Sequence, residues 1–520
     1  MGMVETVDDV LSQMRDFCSG MTQDAAKLED VFNGYMKNSP EYRTQQAEYL
    51  KIRALNIIHF NRQRLWYYYL MTFLVCATED RGVYRELLQY CIKDQSITKE
   101  TKFFLYYQFL SYSFTKPDIL NEEIGDFYDD LYNHIYYEYK RELGIYDFIQ
   151  KEERNQDFVM VFTSQVLEMG HAPTKTLLDR CYMLEKFLEK KVLIVNTAEF
   201  MSFYRPIYFY NYKVGSYIEE YSNKTSVLYK DKEFSFFQCP KEMPDVSVIK
   251  EIMDVVKSEK PYFILTIGGN SIVSDLCSEI VPTIAIATVY SDRTMTYGQF
   301  QAIGRKISDS DRRWMRKHSL PEDHIIESLF SFEFKEQTHQ YSRKELGLPE
   351  DKFIVILVGG RLDDEIDPDC MHMLQRLTDI GICVAFIGRF HRYQTYAEQN
   401  EIFKRNSIDL GFQEDVLAID ECCDLYINPR RVGGGTSAAE ALYKGLPVVT
   451  FDFGDVGVCA GADFQVSSYD AMYDQIVRYD KDKEFYTKMS IKAKERAAQL
   501  MDSRSEFMKI IQKAESSERF

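Results

Sequence analysis

The sequence predicts an α/β protein: two parallel-sheet domains with a cleft between them, preceded by an all-helical domain. Three observations predict it. Over residues 1–153 Gly and Pro are sparse and apolar residues recur at three and four spacing, as in Leu50, Ile57, Ile58, Leu65 and Tyr69. From about residue 157 short apolar strands alternate with helical stretches, the pattern of a parallel sheet. Residues 424–452 then join an apolar strand, two arginines, three glycines, a helix and a second apolar strand.

The bulk properties narrow the class. A chain of 520 residues with 45% hydrophobic content has ample material for about three domains. A net charge of −18 makes a nucleic-acid backbone an unsuitable partner for the chain as a whole, although clustered arginines can still hold an anionic small molecule. The 11 cysteines are odd in number and form no CxxC pair, which argues against a disulfide framework or a zinc module. Free buried thiols in a reducing cytoplasm are expected. The acidic, amphipathic start has no secretory-signal pattern, and the apolar run Leu65–Cys76 is too short to span a bilayer. It reads as a buried helix. Met1-Gly2 with Thr6 matches a myristoylation pattern that is short enough to recur by chance.

The helical domain, 1–153, is dense in aromatics: Trp66-Tyr67-Tyr68-Tyr69, Phe103-Phe104, Tyr106-Tyr107 and Tyr136-Tyr137. At helical spacing these point first to core packing. Rings also stack on sugars and peptide planes, so a polypeptide or glycan acceptor, or another partner, is the alternative role. The first α/β domain, 154–335, opens with strand Phe158–Thr163 and the loop Gly170-His171-Ala172-Pro173-Thr174. A helix to about Lys190 and strands Val192–Asn196, Tyr262–Ile267 and Thr283–Ala287 follow. A charged linker, 331–345, ends in Ser342–Pro349, which reads as a one-turn helix closed by Gly and Pro. The second α/β domain, 336–480, has strands at Phe353–Val358, Cys383–Ile387, Leu425–Ile427 and Val448–Phe451. Residues 481–520 read as a long amphipathic helical tail.

The stretch 424–452 carries the chemistry. Gly433, Gly434 and Gly435 let the backbone approach a ligand, and the helix starting near Thr436 and Ser437 presents N–H groups suited to a phosphate. Glu440 is four residues after Thr436, on the same helix face, where a carboxylate can hold ribose hydroxyls. The arrangement resembles the donor-binding segment of GT-B glycosyltransferases, Gly-Gly-Thr-(Thr/Ser)-x-x-Glu-Ala-Leu-x-x-Gly-x-Pro-Val-Val. The resemblance implies two Rossmann-like domains with the donor between them, and a tail that crosses back to brace the first.

Other positions follow from the rule that ligands bind at the carboxyl ends of parallel strands. Arg361, after Phe353–Val358, is placed to balance the charge of a leaving diphosphate, or simply to pair with Asp363, Asp364 or Glu365. Arg430 and Arg431 enter the same loop as the glycines; one of the two is expected to see phosphate or sugar. Gly388-Arg389-Phe390-His391 leaves another strand end, and the Gly411-Phe412 loop precedes the next helix; the GT-B resemblance implies the nucleobase in this neighbourhood, and the alternative is that these residues only cap a sheet edge. His171 is placed to take a proton from an acceptor, or to sit hydrogen-bonded at a helix start. Its Gly-His-Ala-Pro-Thr setting resembles the His-Pro-Thr segment of O-GlcNAc transferases, and the helical-plus-GT-B layout resembles bacterial cytoplasmic protein glycosyltransferases. Gly268-Gly269-Asn270-Ser271 and Asp275 line the acceptor side, or Asn270 or Ser271 caps a helix there.

Two departures stand out. Many retaining GT-B enzymes have two Glu separated by seven residues, the second matching Glu440, and the first position is Val432 here, which leans the stereochemistry toward inversion; they also follow the Arg matching Arg361 with a phosphate-binding Lys, where this chain has Glu365-Ile366-Asp367. The expected function is transfer of a sugar from a nucleotide-diphosphate donor, most simply a UDP-sugar, to a protein or glycan, with no cofactor and no metal. No Asp-x-Asp triplet, Asp367-Pro368-Asp369 included, directly ends an apolar strand. The alternatives are a non-catalytic binding partner or chaperone on the same scaffold, and a UDP-sugar 2-epimerase.

Overall fold

The computed structural model describes residues 5–22, 24–59, 66–168, 171–200, 216–329, 331–334 and 336–520. Met1, Gly2, Leu65, Met169 and Gly170 lie outside them.

The N-terminal region folds into helices Val7–Ser19, Ala25–Met36, Pro40–His59, Tyr67–Thr78, Arg81–Lys93, Lys99–Thr115 and Glu122–Leu143. Their ends are set by local chemistry. Thr6 and Asp9 form a capping box, and Asp80, Thr98 and Asn121 cap three later helices. Of the aromatics singled out above, Tyr68, Phe103, Phe104, Tyr106, Tyr107 and Tyr136 are buried, whereas Tyr137 is exposed. The last two helices carry their tyrosines onto the first α/β domain. The Tyr132 hydroxyl donates to Asp275 (2.6 Å) and that of Tyr136 to Glu279 (2.7 Å), while the Trp314 ring nitrogen donates back to Asp129 (2.8 Å).

The first sheet contains β1 (Phe158–Thr163), β2 (Lys191–Asn196), β3 (Ser226–Tyr229), β4 (Lys232–Gln238), β5 (Ile264–Ile267), β6 (Thr283–Ile286), β7 (Phe300–Ile303) and β8 (Ile325–Glu327). Its order is β3-β4-β2-β1-β5-β6-β7-β8, and only the β3/β4 hairpin is antiparallel. The second sheet contains β9 (Ile354–Gly359), β10 (Cys383–Gly388), β11 (Ser407–Asp409), β12 (Leu425–Ile427), β13 (Val448–Phe451) and β14 (Gln465–Val466). Its order is β11-β10-β9-β12-β13-β14, all parallel. The central strands are apolar runs buried on both faces, because helices cover both sides of a parallel sheet. In each sheet the strand order reverses once, between β1 and β5 and between β9 and β12. A crevice opens at each reversal, where the connections leave on opposite faces.

The carboxyl edges of the two sheets meet. The Ser291 N–H, beyond β6, donates to Asp455, beyond β13, at 2.9 Å. The tail helices Lys483–Leu500 and Ser503–Glu515 run from the second domain to the first. The Phe332 N–H donates to the Leu500 carbonyl (2.8 Å), and the C-terminal Phe520 is buried among Tyr262, Phe263 and Phe300.

Two expectations are corrected. The tail is not one continuous helix, because Asp502 caps a new helix by accepting from Ser505 N–H (3.1 Å). Ser342–Pro349 forms a turn rather than a helix. Leu346 N–H reaches the Ser342 carbonyl (3.3 Å), and the next residue, Gly347, takes a left-handed φ of 70° that stops propagation. All 11 cysteines are buried free thiols. Among the described residues no helix is long and apolar enough to cross a membrane, and no three His, Cys, Asp or Glu side chains converge as a metal site.

Candidate functional site

The helix Gly435–Lys444 begins at the crevice between β9 and β12. Its N-cap is Gly434, held at φ 105°, so no side chain caps its first amides. Those N–H groups, from Gly435, Thr436 and Ser437, and the positive end of the helix dipole open onto the crevice. Gly434 must be glycine on two counts. Its φ is left-handed, and a Cβ there would lie 2.8 Å from an Arg431 guanidinium nitrogen. Gly433 has no such constraint, the nearest atom being Phe114 Cζ at 3.4 Å. Glu440 sits half-buried one turn below Thr436. Beneath it Asp420 is fully buried, and neither of its oxygens has a hydrogen-bond partner. Burial, then the charge of Glu440, pushes the Asp420 carboxyl well above its usual range.

The three arginines separate into two kinds. Of the adjacent pair Arg430 and Arg431, Arg431 is the one turned away from the crevice surface. Its guanidinium is buried and donates to Asn428 (2.7 Å), Glu365 (2.7 Å), the Val358 carbonyl (2.7 Å) and the Tyr426 hydroxyl (3.1 Å). It braces the β9 and β12 exits from beneath. Arg361 and Arg430 lie at the surface of the crevice, 46% and 38% exposed. Arg361 is paired with Glu365 at 2.9 Å and Arg430 with Asp118 at 2.7 Å. Glu365, at the position where the GT-B pattern has Lys, thus bridges Arg361 and Arg431 and fixes the spacing of the two loops.

The two nucleobase candidates converge. Gly388 N–H donates to the Gly411 carbonyl (2.8 Å), and an open pocket of about 380 Å³ is lined by Gly388, Arg389, His391, Asp409 and Phe412, among others. Phe412 is 77% exposed, a ring face offered to solvent at the pocket. Arg389 N–H donates to the Gly359 carbonyl (3.1 Å), which ties this pocket to the β9 exit.

On the first domain, His171 follows β1 and Asn270 follows β5, so both stand at that sheet's reversal point. His171 is half-buried at the N-cap of helix Ala172–Leu188, with Nδ1 3.1 Å from Thr174 Oγ1. Burial lowers its pKa, so the ring is neutral near pH 7. Asn270 adopts a left-handed φ of 59° and is tied to the helical domain: its Oδ1 accepts from Tyr106 (2.8 Å), and its carbonyl accepts from Tyr107. Ser271, not Asn270, caps the following helix, accepting from Ser274 N–H (3.2 Å). Asp367 of the acidic triplet is likewise a cap, accepting from Cys370 N–H (2.7 Å).

A feature the sequence does not announce is the corner Phe114–Asp118 of the helical domain. The Phe114 ring lies 4.9 Å from the Arg361 guanidinium, and Asp118 holds Arg430. The corner is itself anchored by Arg81, which donates to the Ile119 carbonyl (3.1 Å) and to that of Asp118. Asp118 and Arg430 are 312 residues apart, so no local pattern joins them.

No family model and no curated protein sequence matches the chain. Among solved structures, a mutant of the Thermobaculum terrenum O-GlcNAc transferase matches with a TM-score of 0.56 at 11% identity, over 99% of this chain and 98% of that one. The chain has the GT-B fold. The all-helical region belongs to that match too, which runs over nearly the whole of both chains. Two other GT-B structures match less closely. Anabaena HepE in complex with UDP has a TM-score of 0.48 and 12% identity, over 69% of this chain and 100% of its own. A Rickettsia africae glycosyltransferase has a TM-score of 0.47 and 10% identity, over 70% and 100%.

Proposed function

We propose that this chain is a glycosyltransferase that moves a sugar from a nucleotide-diphosphate donor, a UDP-sugar by preference, to a protein or glycan acceptor. One observation carries the reading: the uncapped helix start Gly435–Ser437 opens at the reversal point of the second sheet, with Glu440 one turn below. The diphosphate binds the helix amides and Arg361, Glu440 accepts from the ribose hydroxyls, and the base stacks at the Phe412 pocket. In the transfer the acceptor's nucleophile bonds to the anomeric carbon. The bond from that carbon to the diphosphate oxygen breaks, and its electron pair leaves on the nucleoside diphosphate. Helix amides and Arg361 stabilise that charge without a metal, and neutral His171 takes the acceptor proton.

The test is donor kinetics of Glu440→Ala against wild type, with a panel of nucleotide sugars and lysate acceptors. The expected result is a raised donor Michaelis constant. An unchanged Michaelis constant and turnover would remove the assignment. Nucleotide binding without sugar transfer or release would favour a non-catalytic scaffold.

A further inference from the structure

The helical domain is the part of the molecule whose role the donor site does not explain, yet its Phe114–Asp118 corner reaches that site. Three contacts converge there. The Phe114 ring lies under Arg361 at 4.9 Å, the same ring stands 3.4 Å from where a Gly433 Cβ would be, and Asp118 pairs with Arg430 at 2.7 Å. Arg361 and Arg430 are therefore both gripped from the helical domain. The two grips differ in chemistry. A ring face attracts a guanidinium without neutralising it, so Phe114 limits the position of Arg361 and leaves its charge to be shared between Glu365, at 2.9 Å, and an incoming anion. A carboxylate does neutralise, and Asp118 is 85% exposed, so it leaves Arg430 easily when a stronger anion arrives.

We propose that the Phe114–Asp118 corner is a working wall of the donor site: Phe114 positions Arg361 for the diphosphate, and Asp118 is the counter-ion of Arg430 that the diphosphate displaces. The proposal rests on Gly433–Thr436 being a diphosphate cradle. Both residues act through an arginine, so both are positioning residues. Their signs are opposite, which a merely structural role does not produce. Loss of the ring weakens diphosphate binding, whereas loss of the carboxylate frees Arg430 and tightens it.

The full chain is titrated calorimetrically with UDP, ADP and inorganic pyrophosphate, the last carrying the diphosphate chemistry without a base. Phe114→Leu should raise the Kd of the bound probe about two- to fivefold, the size of an exposed cation–π contact, and Phe114→Trp should restore it. Asp118→Asn should lower the same Kd about two- to fivefold, the size of a surface ion pair. Unchanged values, or shifts in the same direction, overturn the proposal. Asp118 is so exposed that its variant folds, and an unchanged or raised Kd for Asp118→Asn is decisive even where Phe114→Leu is unstable. A wild-type chain that binds none of the three probes removes the cradle reading itself, a distinct result.

Discussion

Asp455 offers a quantitative test of how the two α/β domains are joined. Its carboxylate is buried where the sheet edges meet, accepts from Ser291 N–H at 2.9 Å, and follows Gly454, whose φ is a left-handed 64° and where an added Cβ would lie 2.5 Å from the Arg431 and Val432 carbonyl oxygens. Burial pushes its pKa from 3.8 up to about 6; hydrogen bonds from Ser291 oppose the shift, and nearby Asp292 adds to it. A carboxyl whose folded pKa is raised binds more protons folded than unfolded between those values. Stability therefore falls as pH rises from about 4 to about 6, and the full penalty stands above that window. The gap corresponds to about 3 kcal/mol. Asp455→Asn keeps an oxygen acceptor for Ser291 and removes the charge. The variant should melt several degrees above wild type at pH 7.5, and the difference should vanish near pH 4. Calorimetric melts at both pH values read this out, with the transitions followed separately where they resolve, as multi-domain chains commonly depart from a single two-state transition. A difference that is the same at both pH values, or a variant less stable at pH 7.5, refutes the reasoning.

Other outcomes follow from the site. Gly434→Ala forces a Cβ to 2.8 Å from Arg431 at φ 105° and should abolish nucleotide binding, while Gly433→Ala, with 3.4 Å to Phe114, should bind nearly as wild type; calorimetric titration with UDP distinguishes them. Arg431→Leu removes one partner of a buried ion pair and leaves Asn428 and the Val358 carbonyl unmet, at a cost of about 3–5 kcal/mol, seen as faster hydrogen exchange in β9 and β12. Because burial lowers the His171 pKa, the acid limb of a transfer pH profile should fall below the ordinary 6.5, and His171→Asn should remove that limb.

The elements that local pattern controls were legible in the sequence. Strands β1, β12 and β13 match their apolar runs to the residue, since a parallel strand buried on both faces needs continuous Val, Ile, Leu or Phe. The edge strands β3, β8, β11 and β14 carry no such run, being short or half-covered, and went unread. Gly433–Glu440 were legible because a helix start, its glycines and a carboxylate one turn on are separated by fewer than ten residues. Gly388 and Gly411 were legible singly, but their shared pocket was not.

What the sequence determined by itself is the set of local geometries: two parallel α/β units, a helical domain, and a glycine-led helix with Glu440 on one face. Each depends on backbone preference and hydrophobic period, which act within a few residues. Which arginine faces the crevice was decided by tertiary structure alone. Arg430 and Arg431 are adjacent and chemically identical, yet one is buried against Glu365, Asn428 and Val358 while the other meets Asp118 of the helical domain. The difference arises because those partners come from strands and helices 3 to 312 residues away, and only the fold brings them to the same place.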